Sequence, residues 1–345
     1  MTDSRPAPTV DWLWQHSPEP GSLTEVIDGI SLLRMPLPIR LNHINVYLIE
    51  DDDGLVVIDA GYNTPELREI WRNTLSGRDL GRDPRVLCTH YHPDHFGLVG
   101  FLADEFGFRV LMAQTERIIA GFLSQAHDDQ IAENTVNFYR RHGMSADNLD
   151  AHRNRGNSFR KSVYSVPADY VRVRDGQSLT FGGRTFTVIT ASGHTPEQVC
   201  LHSADANLLL SADQILPRIT PNTSVFPYNA GANPLGEFLE DFDKFAALES
   251  DCLVLPGHDR PFRGVHGRIA ELKSHHDDRL EEVLDWCRES PRTACELAPL
   301  MFKGDLDLHQ QMFAVGEIIA HLVLLEQRGR LARQTHDGVW SFSAT

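Results

Sequence analysis

Along the first half of the chain, short apolar runs of strand length alternate with turn residues and helix-like stretches. Val26 to Arg34, Ile44 to Glu50 and Leu55 to Asp59 read as strands, and Asp51-Asp52-Asp53-Gly54 reads as the turn between the last two. Thr64 to Leu75 reads as a helix, with Thr64 as its cap and Pro65 in its first position. Arg85 to Thr89 follows as a strand. His95 to Phe106 follows as an amphipathic helix capped by Asp94, and Arg109 to Ala113 as another strand. The alternation breaks from Gly121 to Asp169, where the pattern is helical and polar around Ile131 to His142 and loop-like through Asn157. Strands resume at Ser178 to Phe181, Arg184 to Thr190, Val199 to His202, Asn207 to Ser211 and Cys252 to Leu255, with Gly182-Gly183 as a hairpin turn.

After Gly264 the pattern becomes helical. Val265 to Ser290 predicts one long helix stopped by Pro291, Thr293 to Met301 a second, and Gln310 to Arg328 a third. Leu331 to Phe342 predicts a small β-wing. Three helices and a wing make a winged-helix pattern. Yet residues 265–345 carry nine basic and thirteen acidic side chains, so no DNA partner is expected. The apolar helix faces suggest a homodimer instead. The predicted organisation is a flexible tail over 1–22, a main domain over 23–264 with a helical cover at 121–172, and the helical unit over 265–345.

Composition narrows the class. The chain has 345 residues and a formal charge of −16, which disfavours general phosphate-backbone binding. The Phe138 to Arg174 segment runs against that balance, with eight basic residues, Arg140 among them, against three acidic. It reads either as a solvated helical face or as a cover that attracts an anionic substrate. The five cysteines are scattered, with no Cys-x-x-Cys pair, which fits free thiols in a reducing cytoplasm rather than a disulfide framework. No apolar run suggests a membrane span, and Met1 to Gly21 lacks the apolar core of a signal peptide. A soluble cytoplasmic protein is expected.

Histidine, at 17 residues, is over-represented. Three of the 17 cluster with an aspartate where a strand ends, in Thr89-His90-Tyr91-His92-Pro93-Asp94-His95. Imidazole and carboxylate are the donors that zinc and similar metals prefer, so four such groups within six residues point to a metal site. His194, Asp213 and His258 each stand just after an apolar run, beside Gly, Ala or Pro, and supply further donors.

These residues resemble the metallo-β-lactamase-fold hydrolase superfamily, over about Thr24 to Gly264. Asp59 in Val57-Ile58-Asp59-Ala60-Gly61, the His90 to His95 motif, His194, Asp213 and His258 follow in that family's order. The segments around His194 and Asp213 look most like its glyoxalase II-like branch that carries a winged-helix-like domain. The resemblance implies an α+β fold, an αββα four-layer sandwich. It implies two divalent ions, zinc first, with iron or manganese as alternatives. His90, His92 and His194 would bind one ion, Asp94, His95 and His258 the other, and Asp213 would bridge them. Asp59 would orient ligands. The implied chemistry is hydrolysis by a metal-activated water, with Asp94 as the catalytic proton shuttle. The substrate class is a small-molecule ester or thioester, with lactones, RNA cleavage and an iron sulfur dioxygenase as alternatives. The Tyr that lactonases of this fold carry three residues after the bridging Asp is Leu216 here. Tyr91, Phe96, Arg140, Phe226 and Tyr228 are the expected substrate contacts.

Overall fold

Asp28-Gly29 divides the first expected strand in two, because Gly29 takes a positive φ of 72° and turns the chain back on itself. The computed structural model describes residues 10–39 and 41–345. The amino-terminal half runs β1 (Asp11–Trp12), β2 (Leu23–Ile27), β3 (Ile30–Pro36), β4 (His43–Ile49), β5 (Val56–Ile58), α1 (Pro65–Leu75), β6 (Arg85–Cys88), α2 (Pro93–Phe96), α3 (Val99–Phe106) and β7 (Arg109–Ala113). Then come four helices, α4 (Gln114–Gln125), α5 (Asp128–Arg141), α6 (Ala146–Arg155) and α7 (Ser158–Ser162), before β8 (Val171–Val173). The second sheet is built from β9 (Ser178–Phe181), β10 (Arg184–Ala191), β11 (Gln198–Ser203) and β12 (Leu208–Ala212), and after α8 (Pro234–Asp241) from β13 (Leu253–Pro256) and β14 (Phe262–Arg263). The chain closes with α9 (Val265–Glu289), α10 (Ala294–Met301), α11 (Leu308–Gln327) and a hairpin of β15 (Leu331–His336) and β16 (Val339–Ala344).

The strands form two seven-stranded sheets, in the orders β2-β3-β4-β5-β6-β7-β8 and β1-β14-β13-β12-β11-β10-β9. Side chains alternate along each strand, so one face enters the space between the sheets and the other meets helices. Leu32, Tyr47, Ile58 and Leu87 of the first sheet pack against Phe186, Val188, Leu201 and Leu255 of the second. The outer face of the first sheet packs on Trp71, Phe101 and Leu102, and that of the second on Phe238, Phe242 and Ile269. This is the expected αββα sandwich.

Several local expectations change. The helix expected from His95 to Phe106 is two helices, because the Leu98 N–H is drawn away to the Gly61 carbonyl. Asp94 lies inside α2 rather than capping it; His92 stands at the cap and makes no side-chain bond there. The loop expected before Asn157 is α6, whose buried residues are Leu149 and His152 alone, too few to reveal a helical period. The tail over 1–22 is tied down in part. Asp11 and Trp12 pair with Arg263 and Phe262, and the Arg260 guanidinium stacks 4.0 Å from the Trp12 ring. The first nine positions of that tail lie outside the described residues.

The 265–345 unit shares a core with the cover. Val136, Phe138 and Tyr139 of α5 and Leu149 of α6 pack with Leu284, Leu297, Ile319 and Leu322 of the last three helices. The third helix of the winged-helix pattern, α11, is therefore a core helix, buried at residues 314–316, 318–322 and 324–325. Most of the apolar residues of these helices pack within the chain, while Leu300 of α10 stays exposed. α11 is also long and apolar enough to cross a membrane by length and composition, the single such helix among the described residues.

Candidate metal centre

The centre is assembled where strand ends from both sheets meet. β5 delivers Asp59, β6 delivers His90, α2 carries Asp94 and His95, and the segments after β10, β12 and β13 deliver His194, Asp213 and His258. Asp59 takes a φ of 65°, which turns its carboxylate back under the His90 loop.

Four of the five histidines are anchored through Nδ1 and aim Nε2 inward. His90 Nδ1 lies 3.0 Å from Thr89 Oγ1, His95 Nδ1 2.7 Å from Asp59 Oδ2, His194 Nδ1 2.8 Å from the Asn222 carbonyl and His258 Nδ1 2.7 Å from the His43 carbonyl. That anchoring sets the ring angle and the tautomer of a metal-binding imidazole. The fifth, His92, turns Nδ1 inward, 3.0 Å from His194 Nε2. Donor atoms of His90, His92 and His194 lie within 4.8 Å of one another, as do those of Asp94, His95 and His258, and those of His90, His95 and Asp213. Asp213 stands between the triads. Its carboxylate is 3.4 Å from His95 Nε2, 3.5 Å from His194 Nε2 and 3.3 Å from His258 Nε2.

The donor set fits divalent metal. Among the described residues, the buried atoms His90 Nε2, His95 Nε2, His258 Nε2 and Asp213 Oδ1 have no hydrogen-bond partner, and all face the same space. Donors at zinc–ligand bond lengths in a tetrahedron stand about 3.3 Å apart, close to the spacings just given.

Charge divides the centre between its two groups of histidines. Burial, then neighbouring histidines, hold His90 down and His92 at about 3, so that triad is neutral imidazole. Burial opposes charge on His95 and His258 too. There the carboxylates of Asp213, Asp59 and Asp94 overcome it, raising His95 and pushing His258 up to about 10. Asp94 and Asp213 are held low by those same imidazolium rings, against their own burial.

Supports that sequence reasoning missed surround the candidate ligands. Thr89 donates both N–H and O–H to Asp59, and Asn45 Nδ2 donates to the Pro256 and Asp259 carbonyls beneath His258. Neither carried a motif signal, since each bonds to a partner distant in the chain.

Three of the expected substrate contacts gather at one place. Tyr91, Phe226 and Tyr228 line a pocket with His194, Asn229 and Glu237. The Tyr91 and Tyr228 hydroxyls bond to each other, and Phe226 stacks on Tyr228 at 5.4 Å. Phe96 is a correction: it is fully buried in the helix-facing core. Arg140 is another. It is exposed on α5, donates to Asn137 and does not line the pocket, while its neighbours Phe138 and Tyr139 enter the shared core. Of the basic cover, Arg153 and Arg160 pair with Asp150 and Asp128. Arg155 instead reaches across to α11, donating to Met312 Sδ and lying 2.9 Å from His309 Nδ1. His309 touches Phe313, which touches Phe226, so these rings connect Arg155 to the pocket wall.

The sequence pattern of the metallo-beta-lactamase superfamily matches residues 39–258. The chain belongs to that superfamily. A metallo-beta-lactamase-like C-terminal domain matches residues 280–345. The chain is 38% identical to a beta-lactamase domain protein from Burkholderia ambifaria of known structure, with a TM-score of 0.90 over 97% of this chain and 98% of that one. A metallo-beta-lactamase family protein from Thermus thermophilus is 27% identical, with a TM-score of 0.77 over 93% and 100% of the two chains. "Probable metallo-hydrolase YqjP" of Bacillus subtilis is 23% identical over 87% of this chain and 92% of its own length. A hydroxyacylglutathione hydrolase from Roseobacter denitrificans is 28% identical over 39% of this chain and 49% of its own. The chain is thus a metallo-hydrolase of this superfamily.

Proposed function

We propose that this superfamily member hydrolyses thioesters with an anionic carrier, of the acyl-CoA or acyl-glutathione kind. The observation that carries the reading is the pocket of Tyr91, Phe226 and Tyr228 beside His194, joined through Phe313 and His309 to Arg155. Aromatic walls suit an acyl chain. A guanidinium bonded to no carboxylate among the described residues suits a carboxylate or phosphate. The partial similarity to a hydroxyacylglutathione hydrolase supports the thioester class.

Zinc is the ion we assign first, to an all-His/Asp donor set, with iron and manganese as chemical alternatives. Two such ions, when bound, would supply a water acidified from a pKa of ~16 toward ~7. His90, His92 and His194 would hold one, and Asp94, His95 and His258 the other, with Asp213 shared. Asp94 is the ligand-set carboxylate best placed to move a proton. Its side chain is 16% exposed, against 8% for Asp213. Asp59 holds His95 in place.

Thiol release from a panel of acyl-CoA and acyl-glutathione thioesters by zinc-loaded protein tests this reading, with Asp94→Ala and His92→Ala as controls. Release that both variants lose supports it. Release no faster than the variants, with two ions confirmed bound, sinks the thioester and moves lactones, phosphodiesters and RNA forward.

A further inference from the structure

Glu116 is fully buried and, among the described residues, is bonded to no cation and to none of the His and Asp side chains of the metal centre. A carboxylate in that position is costly unless several donors face it. Both of its oxygens are used on main-chain N–H groups. Oε2 accepts from Tyr91 N at 3.0 Å and Oε1 from Glu197 N at 2.7 Å. Tyr91 stands between His90 and His92, and Glu197 three residues after His194. The first loop leaves the β2–β8 sheet and the second joins β10 to β11 in the other sheet. The bracket is reciprocal, because Glu197 Oε2 accepts from Thr115 N at 2.7 Å, at the start of the helix that carries Glu116. That first turn of α4 also favours an anion there.

We infer that Glu116 is a positioning residue for the metal triad His90, His92 and His194: its carboxylate clamps the two loops that carry them, one from each sheet. The second triad has separate supports, Asp59 under His95 and the His43 carbonyl under His258. Glu116 therefore acts selectively on one ion. Glutamine keeps the shape but turns an amide N–H₂ toward one of the two N–H donors. The inference concerns how metal is held and is independent of which ester is cleaved.

The test measures zinc retained per chain against graded chelator, in full-length protein. Glu116→Gln is expected to weaken one of the two ions at least tenfold and leave the other unchanged, as outer supports of ligands generally do. In a His258→Ala background, which disturbs the second triad, it should still weaken the remaining ion tenfold. In a His92→Ala background it should change nothing further. Amide exchange at Tyr91 and Glu197 should accelerate. Both ions held as in wild type, both weakened equally, or an undiminished effect in His92→Ala would each overturn the inference. Should Glu116→Gln not fold, wild-type protein stripped of zinc decides. Tyr91 and Glu197 amides as slow to exchange as in the loaded protein support a pre-set clamp, and exchange at exposed-loop rates overturns it.

Discussion

At Gly257 a side chain has nowhere to go. A β-carbon there would stand 2.2 Å from Asp213 Oδ1 and 3.0 Å from His95 Cε1. Gly257→Ala is therefore expected to push the shared carboxylate off its place. Displacement of about 1 Å at such a centre costs about 10²-fold in turnover, and overpacking costs about 1–3 kcal/mol of stability. Zinc per chain and the urea midpoint check both, and full zinc content would refute the steric argument. Asp59 presents the opposite case, where shape is kept and charge is lost. Asp59→Asn keeps the bulk but sets an N–H₂ against either Thr89 N–H or His95 Nδ1, which stand 2.8 and 2.7 Å from its oxygens. Zinc affinity should fall about 10- to 100-fold with the melting temperature little changed, read by competitive chelator titration. The candidate donors that the fold brings together were legible in the sequence, because four of them fall within six residues and the rest follow strands. Glu116, His43 and Asn45 were not legible. Each supports a ligand distant in the chain, and only the fold brings them together.

Elements fail to follow their sequence pattern where a backbone group finds a better partner elsewhere. The Leu98 N–H bonds to Gly61 instead of continuing the turn, and Gly97 permits the approach, since a β-carbon there would be 2.8 Å from the Gly61 carbonyl. No periodicity reports that. The contact of α9 with α11 carries a titration that belongs to this scale. His276 and His321 are fully buried, 3.4 Å apart, with Phe238, His275, Arg279 and Glu317 around them. Burial, with neighbouring positive groups, lowers His276 to about 2 and His321 to about 4. Their neutral forms are favoured in the fold, while the unfolded chain takes up protons below about 6.5. Stability is therefore present above that pH and falls as pH drops through it. Glu317, raised to about 7 by burial, works in the opposite sense between its ordinary range and 7. The wild-type slope is a net effect, and a difference isolates one ring. His276→Leu should flatten the dependence of unfolding free energy on pH, between 6 and 5, by about 1 kcal/mol per unit. Urea unfolding at those two pH values measures it, and an unchanged slope would show that His276 does not titrate between the states.

The whole molecule does not divide where its sequence changes character. Composition shifts at Gly264, and 280–345 matches a family domain of its own, which favours a catalytic domain with an appended unit. Packing joins them. Phe138 and Tyr139 of the cover bury against Leu284, Ile319 and Leu322, and Val225 and Leu235 enter the same cluster from the second sheet's outer side. A cover built this way cannot be released without opening the C-terminal core, since fully burying each of these side chains contributes about 1.5–3 kcal/mol. Calorimetry should show one transition in which the wall around Phe226 and the terminal helices melt together, rather than a separate early melting of 265–345. Deleting residues 280–345 makes the same point more severely. It would leave Val136, Phe138, Tyr139 and Leu149 facing water as a contiguous apolar patch, of the kind that drives association. The truncated chain is expected to be insoluble even though every metal donor lies before position 280. Soluble 1–279 that still bound two zinc ions would mean the terminal unit is an appendage, and that the pocket wall stands without it.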